Sequence, residues 1–224
     1  MATRSVVLWS WLVLAPLLPA AGRAQSPDMS ARVDAATRAA IQPLFEAAAA
    51  DSLPMRALES KVLEGVAKGQ PPEAIARVVT QLAGELRNAR GALRAGLPGQ
   101  AVTDAEIVAA ATAERQGVPF DAVRGLWRSR PGRESLEVPV TVLGELVRRG
   151  IPVDEASGLM SHVVRTSVPM RQAAQIPAKV DVGLVAGAPP GLALAEALRA
   201  LKIPGPPRGR PPGPPGKAPG GPIG

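Results

Sequence analysis

Apolar and polar positions along this chain recur with the period of a helix, not of a strand. The clearest case begins after Pro71-Pro72, where Ile75, Val78, Val79, Leu82 and Leu86 fall at i, i+3, i+4, i+7 and i+11. That spacing predicts an amphipathic helix whose stripe is core, continuing through Leu93 to a stop at Gly96. Val33, Ala40, Ile41, Leu44, Phe45 and Ala48 make an earlier stretch, which Pro43 is expected to kink or split. Leu58, Val62, Leu63 and Val66 make a short second one. Thr103-Asp104-Ala105-Glu106 has capping-box spacing and opens a helix through Ile107, Val108 and Ala111. Phe120, Val123, Leu126 and Trp127 form the face of the next, and Ser135 is placed to cap a helix carrying Val140, Leu143 and Val147. Val153, Ala156, Leu159, Met160, Val163 and Val164 continue beyond Gly150, and a hairpin is expected there. Between 170 and 202, Pro177 and Pro189-Pro190 interrupt the pattern, while Leu192, Ala195 and Leu198 suggest one more helix.

A repeated junction punctuates these segments: a small residue, any residue, then proline. The copies are Ser52-Leu53-Pro54, Gly69-Gln70-Pro71, Gly96-Leu97-Pro98, Gly117-Val118-Pro119, Gly150-Ile151-Pro152 and Gly187-Ala188-Pro189. Glycine takes the left-handed conformation that ends a helix, and proline suits the start of the next. Glu73, Asp121 and Asp154 follow the first proline by two residues, where a carboxylate meets the positive end of a helix dipole. The copies start at 52, 69, 96, 117, 150 and 187, too irregularly for a solenoid of fixed period. With no tyrosine and only two phenylalanines, and without alternating β-branched runs, strand signals are missing. The expected class is all-α: an irregular helical bundle or a stack of short helical hairpins, with a disordered Pro/Gly-rich C-terminal tail.

Composition refines the boundaries. Residues 1–24 read as a secretory signal peptide, with Arg4, an apolar run from Val6 to Leu18, and Gly22-Arg23-Ala24 as the cleavage site. Residues 25–202 then form the helical domain, and 203–224 a basic tail in which glycine at 205, 209, 213, 216, 220, 221 and 224 breaks the collagen triplet. An exported chain, periplasmic or extracellular, is expected. It carries no cysteine, so neither disulfides nor thiol chemistry are available to it. Of the net charge of +7, Arg4 and Arg23 sit in the leader, and Arg208, Arg210 and Lys217 in the tail, so the helical body holds only +2. A nearly balanced body argues against nucleic acid as partner. No later segment approaches the roughly 20 apolar residues of a transmembrane span.

Candidate chemistry is sparse. The single histidine, His162, neighbours Ser161, but adjacent residues on a helix point about 100° apart, and no Gly-x-Ser-x-Gly elbow accompanies them. One histidine and no cysteine leave no metal-ligand pattern, and the glycines match neither phosphate-loop nor dinucleotide fingerprints. No cofactor is expected. Arg124, Arg128, Arg130 and Arg133 surround Trp127, the only tryptophan outside the leader, and with Arg208, Arg210 and Lys217 are the candidate partner contacts. Arg87, Arg90, Arg94 and the pair Arg148-Arg149 read as complements to helix C-termini. The function expected is a non-enzymatic scaffold or interaction protein of the cell envelope. The alternatives are electrostatic binding of an anionic envelope surface through the tail and the arginines, and a carboxylate-dependent enzyme acting on glycan.

Overall fold

The computed structural model describes residues 32–96, 99–130, 134–166 and 168–205. The expected leader, Arg133, and the tail beyond Gly205 lie outside them. The chain is all-helical, with no strand among the described residues. In order come α1 (Ala35–Ala50), α2 (Met55–Ala67), α3 (Pro72–Gly96), α4 (Asp104–Arg115), α5 (Phe120–Ser129), α6 (Glu137–Arg148), α7 (Val153–Arg165), the single turn α8 (Met170–Ala173), α9 (Ile176–Val185) and α10 (Pro190–Ala200).

The junctions share one geometry. Ser52, Gly69, Gly117, Gly150 and Gly187 all have positive φ, between 50° and 95°. At each, the following residue sends its N–H back five residues: Leu53 to Ala48 (2.9 Å), Gln70 to Gly65 (3.0 Å), Val118 to Ala113 (3.0 Å), Ile151 to Leu146 (3.1 Å) and Ala188 to Gly183 (3.0 Å). The positive-φ residue itself bonds three back, which completes a Schellman motif and satisfies the last carbonyls of the helix. Leu53, Val118 and Ile151, the middle residues of their junctions, are buried, so the corner is pinned by packing as well as by hydrogen bonds. The proline then stands at the N-cap in extended conformation at Pro54, Pro119, Pro152 and Pro189. Asp121, Asp154 and Glu73 fall in the first turns of α5, α7 and α3 as expected.

Two junctions depart from the pattern. Gly96 is the last residue of α3 and is not among the positive-φ glycines; a side chain there would run into the stem of Arg124 on α5. Its smallness serves a close approach, not a turn. Conversely Lys202, with φ of 53°, closes α10 with the same bonds, Ile203 reaching Leu198 at 3.0 Å ahead of Pro204. This corner has no small residue to announce it.

Helices reached through these corners pack in two ways. α2 on α3, α6 on α7, and α9 on α10 are neighbours in sequence that lie together. Elsewhere the main partner is the next helix but one: α1 packs on α3, α4 on α6 and α5 on α7. The result is an irregular stack in which alternate helices line up, around a core that includes Leu58, Leu86, Leu93, Leu126, Leu143, Leu146 and Met160.

Several local expectations change. α1 runs through Pro43 without a break, capped at its start by Asp34, whose Oδ1 accepts from the Thr37 N–H at 2.9 Å. On α3 the buried positions are Ile75, Val79, Ala83, Leu86, Ala89 and Leu93, while Val78 is 46% exposed and leaves the core stripe. Ser135 accepts from the Glu137 N–H at 3.2 Å, but the N-cap of α6 is Leu136. Residues 170–200 form three helices, because Pro177 sits in the first turn of α9 and Pro189-Pro190 at the start of α10, positions where a missing N–H costs nothing.

Candidate functional site

The Thr103 capping box is present in full: the Glu106 N–H meets Thr103 Oγ1 at 3.2 Å, and Glu106 Oε2 accepts from the Thr103 N–H at 3.0 Å. The same glutamate reaches beyond its own helix. Its other oxygen, Oε1, accepts from the backbone N–H of Leu136 at 3.0 Å and lies 3.7 Å from Arg130 Nη1. Glu106 is only 1% exposed. Burying a carboxylate is tolerated because hydrogen bonds and a cation surround it.

Arg130, at the C-terminal end of α5, completes the arrangement. Its Nη1 donates to the Glu134 carbonyl at 2.8 Å and its Nη2 to Gln100 Oε1 at 2.9 Å. Gln100, Thr103, Glu106, Trp127, Arg130 and Ser135 line a cleft of about 610 Å³. The Trp127 indole is buried, and its Nε1 has no hydrogen-bond partner among the described residues. Both oxygens of Glu106 are occupied by donors, which suits a carboxylate that holds structure and not one that takes a proton from a substrate.

The arginines expected to gather around Trp127 are dispersed. Arg124 lies over Gly96, donating to Asp121 and to the Ala92 carbonyl. Arg130 is turned inward to Glu106, and Arg128 is exposed. Arg133, Arg208, Arg210 and Lys217 are outside the described residues. Other basic side chains serve as ties between helices, beyond complementing a dipole: Arg87 pairs with Asp51 at 2.7 Å, and Arg115 with Glu85 at 3.4 Å. Arg149 joins α6 to α9 through Asp181 and also contacts Glu145, which accepts from Gln116 at 2.9 Å. Arg148 first and then Arg149 hold the Glu145 carboxyl down at about 2. Arg149 likewise lowers Asp181.

His162 is half-buried, its Nε2 enclosed and without a hydrogen-bond partner among the described residues. Among the described residues no cluster of His, Asp or Glu is placed to hold a metal ion, and no helix is long and apolar enough to cross a membrane.

A second surface lies on the α9–α10 hairpin. A Cβ at Gly183 would stand 2.7 Å from Ala193 Cβ, so these two positions face one another across the closest helix contact. In an antiparallel pair, the residues just before each of them, Val182 and Leu192, project to the same side. They are 67% and 49% exposed, and Val185 nearby is 90% exposed. The opposite side carries Leu194 and Leu198, which are buried. The chain matches no protein-family model, no curated protein and no solved structure.

Proposed function

We propose that this chain is an exported, non-enzymatic helical scaffold that binds a partner protein of the cell envelope through the outer side of the α9–α10 hairpin. The observation that carries this reading is the exposure of Val182, Val185 and Leu192 on a hairpin whose other side is packed. Apolar side chains clustered on one exposed side favour a protein partner, since leaving them in water forgoes about 25 cal/mol for each Å² that could be buried. The ion pairs fit the same picture, because Arg87, Arg115, Arg130 and Arg149 each tie two segments of the stack together.

Electrostatic attachment to an anionic envelope surface draws less support, since Arg124 and Arg130 are engaged within the fold. The test is retention of a defined envelope protein on the immobilised full chain at low and physiological salt. Retention at both, lost in Val182→Asp/Val185→Asp with unchanged Tm, is expected. Retention that disappears with salt and ignores the valines transfers the function to the basic residues.

A further inference from the structure

We propose that the cleft beside Trp127 binds an uncharged amide bearing an aliphatic side chain, a leucine-like unit of peptide, with its carbonyl in the cleft and its side chain in an apolar hollow next to it. This goes beyond the scaffold reading, uses other residues and does not depend on it. The two cavities share a border. Arg130 and Ser135 line the cleft of about 610 Å³ and also a hollow of about 200 Å³, whose walls are Leu136, Pro139, Val164, Val168 and Met170. The first has the size of a small-ligand site, and the second has room for one aliphatic side chain.

The donors and acceptors of the cleft decide the charge of the ligand. Glu106 and Arg130 stand 3.7 Å apart with side chains 2% and 9% exposed, so their opposite charges cancel within the wall. An anion brought to Arg130 would meet the Glu106 carboxylate, and a cation brought to Glu106 would meet the guanidinium; both approaches are unfavourable where water screens little. The acceptors are spent as well. Glu106 Oε1 takes the Leu136 N–H, Oε2 takes the N–H and the hydroxyl of Thr103, and Gln100 Oε1 takes Arg130. Donors remain: the Trp127 Nε1–H, the Gln100 Nε2 amide, and the hydroxyl of Ser135, whose oxygen accepts from the Glu137 N–H. A ligand matched to this set is neutral and offers an oxygen acceptor, as an amide carbonyl does. Trp127 points to it most directly. It is 2% exposed, its Nε1–H has no acceptor among the described residues, and a buried donor left in that state carries a penalty that an incoming oxygen removes. Nε1 is enclosed, so the oxygen enters by shifting a neighbour, and Gln100, exposed and held by a bond from Arg130, has the freedom to move.

Trp127 is also the reporter. In the full chain carrying Trp9→Phe and Trp11→Phe it is the sole tryptophan, so one indole N–H signal appears in the nitrogen-correlated NMR spectrum. Titration with N-acetyl-leucine methylamide is expected to move that signal downfield and to saturate. N-acetyl-alanine methylamide, which leaves the hollow unfilled, should bind about tenfold more weakly. N-acetyl-leucine, whose carboxylate meets Glu106, should be weaker than the leucine amide by about the same factor. Met170→Ala should weaken the leucine amide about fivefold and leave the alanine amide unchanged, which separates loss of the hollow from loss of the fold. An indole signal that the leucine amide leaves unmoved overturns the proposal. So does tighter binding of N-acetyl-leucine, which would make this an anion site served by Arg130. Equal binding of the leucine and alanine amides overturns it too, because the hollow would then take no side chain.

Discussion

Arg149 grips Asp181 through two parallel hydrogen bonds of 2.7 Å, one from Nε and one from Nη2, across 32 residues of sequence. Its remaining Nη1 donates to the Glu145 carbonyl at 2.8 Å, so one guanidinium ties α9 to the C-terminal end of α6. Arg149→Ala should lower Tm and speed amide exchange in α9 and α10 while leaving α1 to α3 protected. Arg149→Lys should restore little, because an ammonium cannot reproduce the planar fork. Uniform loss of protection along the whole chain would show that the tie is not local.

Glu145 sets an acid limit on this region. Its carboxyl sits at about 2 in the fold against an ordinary value of 4.5, so the stabilisation is present above 4.5 and drains away as pH falls toward 2. Urea midpoints should therefore stay level from neutral pH to about 5 and drop below that. Glu145→Gln should show a shallower acid slope, though not a flat one, since Asp34 and Asp181 are also lowered. An unaltered slope in Glu145→Gln would remove the assignment.

Glu106 is the more costly carboxylate to lose. Glu106→Ala strips acceptors from the Thr103 and Leu136 N–H groups, a loss of about 3 kcal/mol when buried donors are left unpaired. Glu106→Gln keeps one acceptor oxygen and should cost about half as much by the same reasoning. Chemical denaturation of the two variants measures the difference, and equal destabilisation would mean that charge, not acceptor count, governs the site.

At the helix ends, two opposite substitutions should have opposite signs. Lys202→Gly relieves an L-residue held at φ of 53° and should stabilise by about 1 kcal/mol, whereas Gly150→Ala, at φ of 84°, should destabilise by about the same amount. Thermal unfolding reads both. A destabilised Lys202→Gly would mean that the lysine side chain contributes more than its backbone costs.

Helix contacts closed by glycine leave no room for a methyl group. A methyl on Gly144 would collide with Gln116 Oε1 and approach Ala113 Cα to 3.0 Å, so Gly144→Ala forces α4 and α6 apart at a cost of about 2 kcal/mol, in the range for overpacking. Gly84→Ala, in open space on α3, should by contrast be neutral or stabilising.

The corners were legible because a C′ glycine and a following proline encode them within a few residues. The corner at Lys202 is not legible, because its left-handed φ goes with backbone bonds from Lys202 to Arg199 and from Ile203 to Leu198 and leaves no mark in composition. Val78 and Val79 read alike in the sequence, because i+3 and i+4 neighbours both suit a helical stripe; only the position of the partner helices decides that Val79 is covered and Val78 is not. At the cleft, the capping box could be read locally from Thr103 and Glu106, but the bond from Leu136, 30 residues later, depends on how α4, α5 and α6 meet. The arginine cluster shows the same limit from the other side. Arg124 and Arg130 stand six residues apart in sequence and look like one patch, yet Gly96 receives one and Glu106 the other.

The Schellman corners also bear on how fast the chain can find its fold. Each closes its bonds over spans of three and five residues, so a reversal of direction carries almost no loop-closure entropy and needs no distant partner. Stacking of alternate helices then joins segments separated by a single helix, which keeps the mean sequence separation of contacts low. A chain built this way gains native order from whichever end is released first, one corner and one helix at a time, and should refold without a slow phase set by long-range pairing.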